Sequence, residues 1–400
     1  MRHLVAGFKL TFCIALLSAG PVFAQTPSEE AISNTTTTAP VAYVYLGTTT
    51  KGVYLYDAAS NGKLTQVSGS PFKTSGLAIG SNGKHFISLG TVDIHSYTIE
   101  SNGAIGEQVS TINTQDHDGS ACGTTGGAIL DHTGQDLYVL ISGANIDSTN
   151  QCDAYQSYKI STSGVLTSIG AAVDKGGPTQ LYTLPAITEN DTYGYAGLIY
   201  YSYSHTGTQN QITFKRESSG ALALTNYVGV DPTPEPDWDW YAVTPTADPT
   251  NHLAYAMISE NEPPDGPFGP VQLASYTVES NGNIVSTNTW KNMPKSAVAL
   301  VGDGVINLKI SPSGKLLAVG GSGGVQIFHF NGAEPITAYT KPLTTVEIDQ
   351  IRWDNNNHLY ALSDSTNKLY VYTVTPTTIT EAPGSPYTIS HPNALVVVPK

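Results

Sequence analysis

The sequence predicts an all-β protein, and more specifically a seven-bladed β-propeller of four-stranded blades. One strand-turn-strand pattern recurs seven times, and the first and last predicted strands each lack a complete blade of their own. Charged residues form only 12% of the chain, which contains 39 Gly, 24 Pro and 23 Tyr. Beyond the N-terminal segment, short β-branched and Tyr-rich runs alternate with polar turn clusters, and no amphipathic helix pattern occurs.

The repeat is marked by an aromatic residue that ends a strand, a polar turn and the start of a new strand. Successive aromatics are separated by 41, 61, 56, 62, 52 and 44 residues, and they are Tyr56, Tyr97, Tyr158, Phe214, Tyr276, Phe328 and Tyr372. Further apolar runs precede each aromatic. Four strands repeated seven times are typical of a β-propeller.

The two chain ends predict how the ring of blades closes. The first repeat begins at Val41 with its second strand, whereas residues 393–398 form an innermost-type strand with nothing after it. Together they complete one blade and remove the open sheet edges. We therefore expect a propeller over residues 41–400, with Val396 beside the strand that contains Tyr43. The alternative fold, two stacked β-sandwiches, leaves both spare strands unexplained.

The first 24 residues have the pattern of a secretory signal peptide. Arg2 and Lys9 supply positive charge around a short apolar core, and a small-x-small cleavage pattern ends at Ala24. Residues 25–40 are predicted to be a disordered Ser/Thr/Pro-rich lead. We expect a periplasmic or extracellular protein without membrane insertion, because no apolar run is long enough to span a bilayer.

The charge balance excludes several classes of partner. The net charge is −14, and loss of Arg2 and Lys9 with the signal peptide makes it −16. Only two arginines follow residue 24, Arg216 and Arg352. A chain this acidic is poorly suited to bind nucleic acid, anionic membranes or phosphorylated substrates.

Turn motifs resemble those of a known family, the lactonase-type seven-bladed propellers. Gly62-Lys63-Leu64 followed by residues 69–72 (GSPF) is similar to a blade junction of that family, and residues 384–387 (GSPY) repeat it. Residues 311–316 (SPSGKL) resemble the family's turn between first and second strands. The family includes propeller 6-phosphogluconolactonases and carboxymuconate-lactonising enzymes, so the resemblance implies a lactone hydrolase or isomerase.

The sequence departs from this family where its active site is expected. The family has His and Arg residues near the starts of innermost strands, but residues 126–131 contain no histidine and residues 239–243 contain no Arg-His pair. Only Glu347-Ile348 is similar to a family innermost-strand element, with Arg352 farther along the same strand. The departures favour a neutral, sugar-type substrate over a phosphorylated one.

The longest predicted loops gather on one face of the propeller, where they carry twelve acids against two lysines. They span residues 110–125, 142–155, 203–209, 228–239, 259–270 and 291–304. Long loops grouped on a rigid scaffold are the usual place for binding or catalysis. We expect the central opening on this face to be the ligand site. The predicted catalytic residues are Glu347 and His117, and the predicted ligand-binding residues are Asp116, Asp118, Trp238, Trp240 and Arg352.

The expected chemistry of these residues follows from their types. Glu347 would activate water, with structural pairing of Glu347 and Arg352 within the channel as the alternative. His117 between two aspartates would form an acid-base pair or a cation site, with an ordinary solvated loop as the alternative. The acidic stretch 231–240 offers oxygen ligands for Ca²⁺ but lacks the spacing of a dedicated loop, which favours a Pro-stiffened blade connector. No cofactor is certain, and a divalent metal, Ca²⁺ or Mg²⁺, is the candidate.

Two further motifs have simpler interpretations. Cys122 and Cys152 fall in links on the same face of one predicted blade, which predicts a disulfide in an exported protein, with two buried free thiols as the alternative. Residues 320–324 fit G-x-S-x-G, but strands on both sides favour a glycine-rich β-turn over a nucleophile elbow.

Two functions remain open from the sequence. The first is a lactonase-like hydrolase or isomerase that acts on a neutral small molecule. The second is a non-catalytic exported binding module that recognises a glycan or a protein partner through its acidic, aromatic loop face.

Overall fold

A computed structural model describes residues 39–74, 78–114, 123–142, 154–173, 180–181, 183–199, 211–225, 232–261, 266–300 and 306–400. The predicted signal peptide, nearly all of the predicted lead, the Asp116–Asp118 stretch and both mature cysteines lie outside these residues. The described chain contains strands and turns and no helix, which confirms the predicted all-β class.

The strands, in chain order, are β1 (Ala42–Thr48), β2 (Gly52–Ala58), β3 (Leu64–Gln66), β4 (Ala78–Ser81), β5 (His85–Leu89), β6 (Asp93–Ile99), β7 (Ile105–Asn113), β8 (Gly123–Leu130), β9 (Asp136–Ser142), β10 (Ala154–Ile160), β11 (Leu166–Val173), β12 (Gln180–Leu181), β13 (Ala186–Ile187), β14 (Tyr193–Ile199), β15 (Gln211–Arg216), β16 (Leu222–Leu224), β17 (Trp238–Ala247), β18 (His252–Asn261), β19 (Gln272–Val278), β20 (Ile284–Val285), β21 (Ile306–Ile310), β22 (Leu316–Gly321), β23 (Gly324–Asn331), β24 (Glu334–Ala338), β25 (Gln350–Trp353), β26 (His358–Ser363), β27 (Lys368–Val374), β28 (Ile379–Glu381), β29 (Tyr387–Thr388) and β30 (Pro392–Pro399).

These strands form seven antiparallel sheets, the blades of a β-propeller. Blade 1 is β3-β2-β1-β30, and blades 2, 3, 5 and 6 are the consecutive groups β4–β7, β8–β11, β17–β20 and β21–β24. Blade 4 contains β12 to β16, because two short strands, β12 and β13, both pair with β14. Blade 7 contains β25 to β29, with β29 paired to β27.

Blade 1 closes the ring as predicted. The C-terminal strand β30 lies antiparallel to β1, with Val396 opposite Tyr45 and Val398 opposite Tyr43. The blade therefore joins one C-terminal strand to three N-terminal strands. This pairing covers the inner edge of β1, which would otherwise expose unpaired backbone groups.

The hydrophobic core consists of seven clusters, one between each pair of neighbouring blades. The cluster between blades 1 and 2 contains Tyr45 and Val53 from one blade and Phe86 and Ile105 from the next. Since each blade buries both of its faces against neighbours, its central strands read as continuous apolar runs. The seven clusters hold the innermost strands in fixed positions around the central channel.

The repeated polar turn between third and fourth strands locks each blade onto the preceding one. Gly103 of blade 2 has φ +83°, and a Cβ there would lie 2.8 Å from the Tyr43 ring of blade 1. The Tyr45 hydroxyl donates a 2.7 Å hydrogen bond to the Gly103 carbonyl. Tyr138 makes the same bond to Gly220 of the following blade, at 2.9 Å. The turn motif that identified the repeats thus supplies inter-blade contacts.

The glycine stretch 320–324 forms a turn between two strands, as predicted. β22 ends at Gly321 and β23 begins at Gly324, and the two strands pair in register. No helix follows, so the strand-to-helix geometry of a nucleophile elbow is absent from this turn.

Candidate functional site

The innermost strands of the seven blades surround a central channel. They are β30, β4, β8, β12 with β13, β17, β21 and β25. Their described parts carry three charged residues, Asp239, Lys309 and Arg352. Asp239 is exposed at the start of β17, whereas Lys309 and Arg352 are partly buried near the ends of β21 and β25. We call the end where the innermost strands begin the channel mouth.

Three carboxylates of blade 7 lie together at this mouth, and we call Glu347, Asp349 and Asp364 the mouth carboxylates. Glu347 and Asp349 immediately precede β25, and Asp364 follows β26. Strand pairing brings the last two together, because the Asp364 backbone N–H donates a 2.7 Å hydrogen bond to Asp349 Oδ2. The Asp349 N–H in turn donates to the Leu362 carbonyl at 2.8 Å.

Asp364 is the carboxyl whose protonation is most altered at the mouth. Burial, together with the negative charges of Asp349 and Glu347, raises its pKa from 3.8 to about 7. Its Oδ1 is buried and has no hydrogen-bond partner among the described residues. A carboxyl with a pKa near neutrality exchanges protons readily at physiological pH, as a general acid or base must.

Side-chain amides fix the three innermost strands that carry this part of the channel. Asn307 of β21 donates from Nδ2 to the Asp349 carbonyl at 2.6 Å. Gln350 of β25 donates to the Asn393 carbonyl at 2.7 Å and accepts from the Leu395 N–H at 3.0 Å. Blades 6, 7 and 1 are therefore joined at the mouth by oriented polar groups, and the mouth carboxylates have rigid backbone support.

Two cations lie deeper in the channel, and we call Lys309 and Arg352 the cation pair. Burial lowers the pKa of Arg352 to about 10. Burial and the nearby positive charge of Arg352 lower the pKa of Lys309 to about 8. The Trp353 indole N–H donates to the Lys309 carbonyl at 3.0 Å, which ties the two strands together at this level.

The mouth carboxylates and the cation pair are separated along the strand direction. Arg352 lies three residues beyond Asp349, which corresponds to about 10 Å at the rise of an extended strand. The channel wall on blades 6 and 7 therefore changes from negative at the mouth to positive toward the end where the innermost strands finish.

The structure brings two of the predicted site residues into one channel and separates others from it. Glu347 belongs to the mouth carboxylates. Arg352, which lies on the same blade as Glu347, belongs to the cation pair. Trp240 is 3% exposed and packs in the core between blades 4 and 5, whereas Trp238 is partly buried at the start of β17. Asp116, His117 and Asp118 lie outside the described residues.

Sequence reasoning missed Asp349, Asp364 and Lys309. Lys309 had a detectable signal, because it is a lone charge inside an apolar innermost strand (INLKI). Asp364 had none, since its pKa depends on Asp349, which is 15 residues away in the chain. The predicted Ca²⁺ or Mg²⁺ site stays a prediction, because Asp116, His117 and Asp118 lie outside the described residues. Within the described ranges, no three His, Cys, Asp or Glu side chains are arranged to hold a metal ion.

Solved structures similar to this chain are propellers of the same architecture. A periplasmic gluconolactonase from Pseudomonas aeruginosa superposes with a TM-score of 0.60 at 14% identity, covering 89% of this chain and 99% of that one. A Bacteroides fragilis protein, provisionally assigned as a 6-phosphogluconolactonase, superposes with a TM-score of 0.60 at 15% identity over 89% and 98% of the two chains. This chain has their fold. At such low identity the likeness extends to architecture and not to activity.

Other comparisons add no assignment. No protein-family model matches the chain, and no curated protein matches its sequence. A Lactobacillus plantarum protein of unstated function also superposes with a TM-score of 0.60, at 12% identity and over 89% and 99% of the two chains. Among the described residues, no helix has the length and apolar character needed to cross a membrane.

Proposed function

We propose that this protein is a lactone hydrolase that acts on a small, neutral, hydroxyl-rich lactone at the channel mouth. The observation that carries the proposal is the Asp364 carboxyl, whose pKa is raised to about 7 by burial and by Asp349 and Glu347. Perturbed carboxyls in a concave opening are common at catalytic sites. The similar fold of a periplasmic gluconolactonase supports the same reaction class.

Asp364 would serve as the general base. In its ionised form it removes a proton from a water molecule as the water oxygen attacks the lactone carbonyl carbon. The ring C–O bond then breaks, and the proton held by Asp364 passes to the departing alkoxide oxygen. The products are an open-chain hydroxy acid and the regenerated carboxylate of Asp364, so the step consumes one water and needs no oxidant or reductant.

The mouth also favours an uncharged substrate. Glu347 and Asp349 repel anions as they approach, which disfavours phosphate esters. This charge arrangement supports the neutral sugar-type substrate expected from the sequence.

The alternative function, a non-catalytic binding module, has weaker support. It relied on aromatic residues among acids for recognition of a glycan or a protein partner. Trp240 is 3% exposed and packs in the core, so its ring is not presented to a ligand. The hydrolysis test below separates binding without turnover from catalysis.

We also propose a periplasmic or extracellular location. Its support is the signal-peptide pattern of residues 1–24 and the periplasmic location stated for the similar Pseudomonas aeruginosa propeller. Fractionation of cells that express the full chain, with N-terminal sequencing of the mature protein, tests this directly.

The activity test compares Asp364→Asn with a matched carboxyl elsewhere. Hydrolysis of glucono-1,5-lactone is followed by acid release, with the spontaneous rate subtracted. We expect Asp364→Asn to lower kcat by about 100-fold or more, and the wild-type kcat to rise with pH through an apparent pKa near 7. Asp57→Asn is the control. Burial also raises the pKa of Asp57, but this residue lies on β2, which is not the innermost strand of its blade.

The outcomes discriminate between the two functions. Loss of activity in Asp364→Asn with full activity in Asp57→Asn supports the general-base role. Equal activity in Asp364→Asn and wild type would remove Asp364 from the mechanism. A wild-type protein that binds the lactone but shows no hydrolysis above background would be a binding module.

A further inference from the structure

We propose that Lys309 and Arg352 form a binding site for a small oxyanion, a carboxylate or a phosphate, deep in the channel between blades 6 and 7. This site is separate from the mouth carboxylates, and it stands whether or not the protein hydrolyses lactones. It also differs from the sequence expectation that the ligand site is acidic and repels phosphate.

The two cations occupy equivalent positions on neighbouring innermost strands. Lys309 is the penultimate residue of β21 and Arg352 is the penultimate residue of β25. The strands are held together by the Trp353 N–H bond to the Lys309 carbonyl and by the Asn307 bond to the Asp349 carbonyl. The pair is thus placed by rigid backbone, and it does not depend on flexible surface loops.

Neither cation has a carboxylate partner among the described residues, whose ion pairs all involve other groups. Arg352 donates from Nη1 to the carbonyl of Ile351, its own neighbour, at 2.8 Å. The other guanidinium donors remain available for a planar, bidentate contact. Asp239, the remaining charged residue of the described innermost strands, is exposed at the start of β17.

The other arginine beyond residue 24, Arg216, shows how this protein pairs a partly buried cation with acids. Arg216 forms an ion pair with Asp136, and its Nη2 also lies 3.6 Å from Asp131 Oδ2. Lys159 completes the same cluster at 2.9 Å from Asp136 Oδ1. Two cations close together without such acids repel each other, and a bound anion removes that repulsion.

The depressed pKa values agree with this interpretation. Burial and the charge of Arg352 lower the pKa of Lys309 to about 8, so Lys309 still carries its proton at neutral pH. Lys309 and Arg352 are both partly buried, so bulk solvent does not fully screen their charges. An oxyanion of one or two charges complements the pair in sign.

Calorimetric titration near pH 7 and at low ionic strength tests the site, with inorganic phosphate and gluconate as separate probes. We expect at least one probe to bind the wild type, with affinity at least tenfold lower in Arg352→Gln and in Lys309→Met. Arg352→Lys keeps the positive charge but loses the bidentate donors, so its affinity should lie between those of wild type and Arg352→Gln. Lys315→Met, at an exposed position in the turn after β21, is the matched control and should bind normally.

The two probes identify which oxyanion fits the pair, and neither experiment requires lactone hydrolysis. Failure of the proposed enzyme activity therefore leaves this test intact. The proposal is overturned if neither probe binds the wild type, or if Arg352→Gln and Lys309→Met both bind as wild type does. An equal loss of probe affinity in Lys315→Met would also overturn the proposal, because that result assigns the effect to general surface charge.

Discussion

Replacing Asp364 with Asn should stabilise the protein at neutral and alkaline pH while leaving it nearly unchanged in acid. The folded-state pKa of Asp364 is about 7, against 3.8 for the ordinary carboxyl. Below about pH 3, the folded and unfolded chains both carry the proton on Asp364, so this residue contributes almost no pH-dependent difference in stability. As the pH rises from about 4 to about 7, the unfolded chain releases this proton and the folded chain retains it, and stability falls.

The magnitude follows from the size of this pKa difference. A shift from 3.8 to about 7 is worth about 4 kcal/mol at ~1.36 kcal/mol per unit. Asp364 is partly exposed, so water screens part of the repulsion from Asp349 and Glu347. We expect Asp364→Asn to raise the free energy of unfolding by about 1–3 kcal/mol near pH 8 and by much less near pH 4.

Urea unfolding at both pH values measures this difference. Glu279→Gln, which removes a carboxylate from an exposed turn, is the control and should show no comparable pH-dependent gain. If Asp364→Asn has the same free energy of unfolding as wild type near pH 8, the mouth does not penalise the ionised carboxyl. The general-base proposal would then lose its physical basis, whatever the activity of the variant.

Three other predictions concern inter-blade contacts and redox state. Gly220→Ala should lower the free energy of unfolding by about 2–4 kcal/mol, because φ is +98° and the new Cβ would lie 2.3 Å from Asp136 Oδ2; an unchanged urea midpoint would contradict this. Arg216→Met should cost about 2–3 kcal/mol, since Asp136 is fully buried and would keep only Lys159 as a cation partner; a stability equal to wild type would contradict it. Cys122 and Cys152 should resist alkylation in the folded protein until a reductant is added, and mass spectrometry that finds both thiols modified without reductant would exclude the disulfide.

The propeller was predictable because each blade is a local structure. Four consecutive strands with short turns generate a visible repeat, and the Gly of the recurring turn is required where it packs on the preceding blade. Gly103 against Tyr43 is one such contact. The closure was also predictable, because a C-terminal strand without partners and a first repeat without its innermost strand are complementary. Strand alternation and turn chemistry therefore contained most of the fold.

The site was less predictable because its contacts join residues distant in sequence. Lys309 approaches Arg352 only because blades 6 and 7 are adjacent, and Asp364 reaches Asp349 only through the pairing of β25 with β26. The same limit applies to Trp238 and Trp240, which are two residues apart on β17 and so lie on the same face of the strand. Trp240 is covered by blade 4, whereas Trp238 is only partly buried at the start of the strand. Sequence alternation cannot predict which stretch of a strand its neighbour covers.

The change from negative to positive charge along one wall of the channel connects the two proposals, because it acts differently on substrate and product. An ester that opens at the mouth changes from a neutral lactone into a carboxylate. The mouth carboxylates Glu347 and Asp349 repel this product, while Lys309 and Arg352 attract it from about 10 Å farther along the channel. A neutral lactone is neither strongly repelled by the mouth carboxylates nor strongly attracted by the cation pair. Product binding at the cation pair should therefore depend on ionic strength much more than substrate binding at the mouth, because only the product carries a charge that salt can screen.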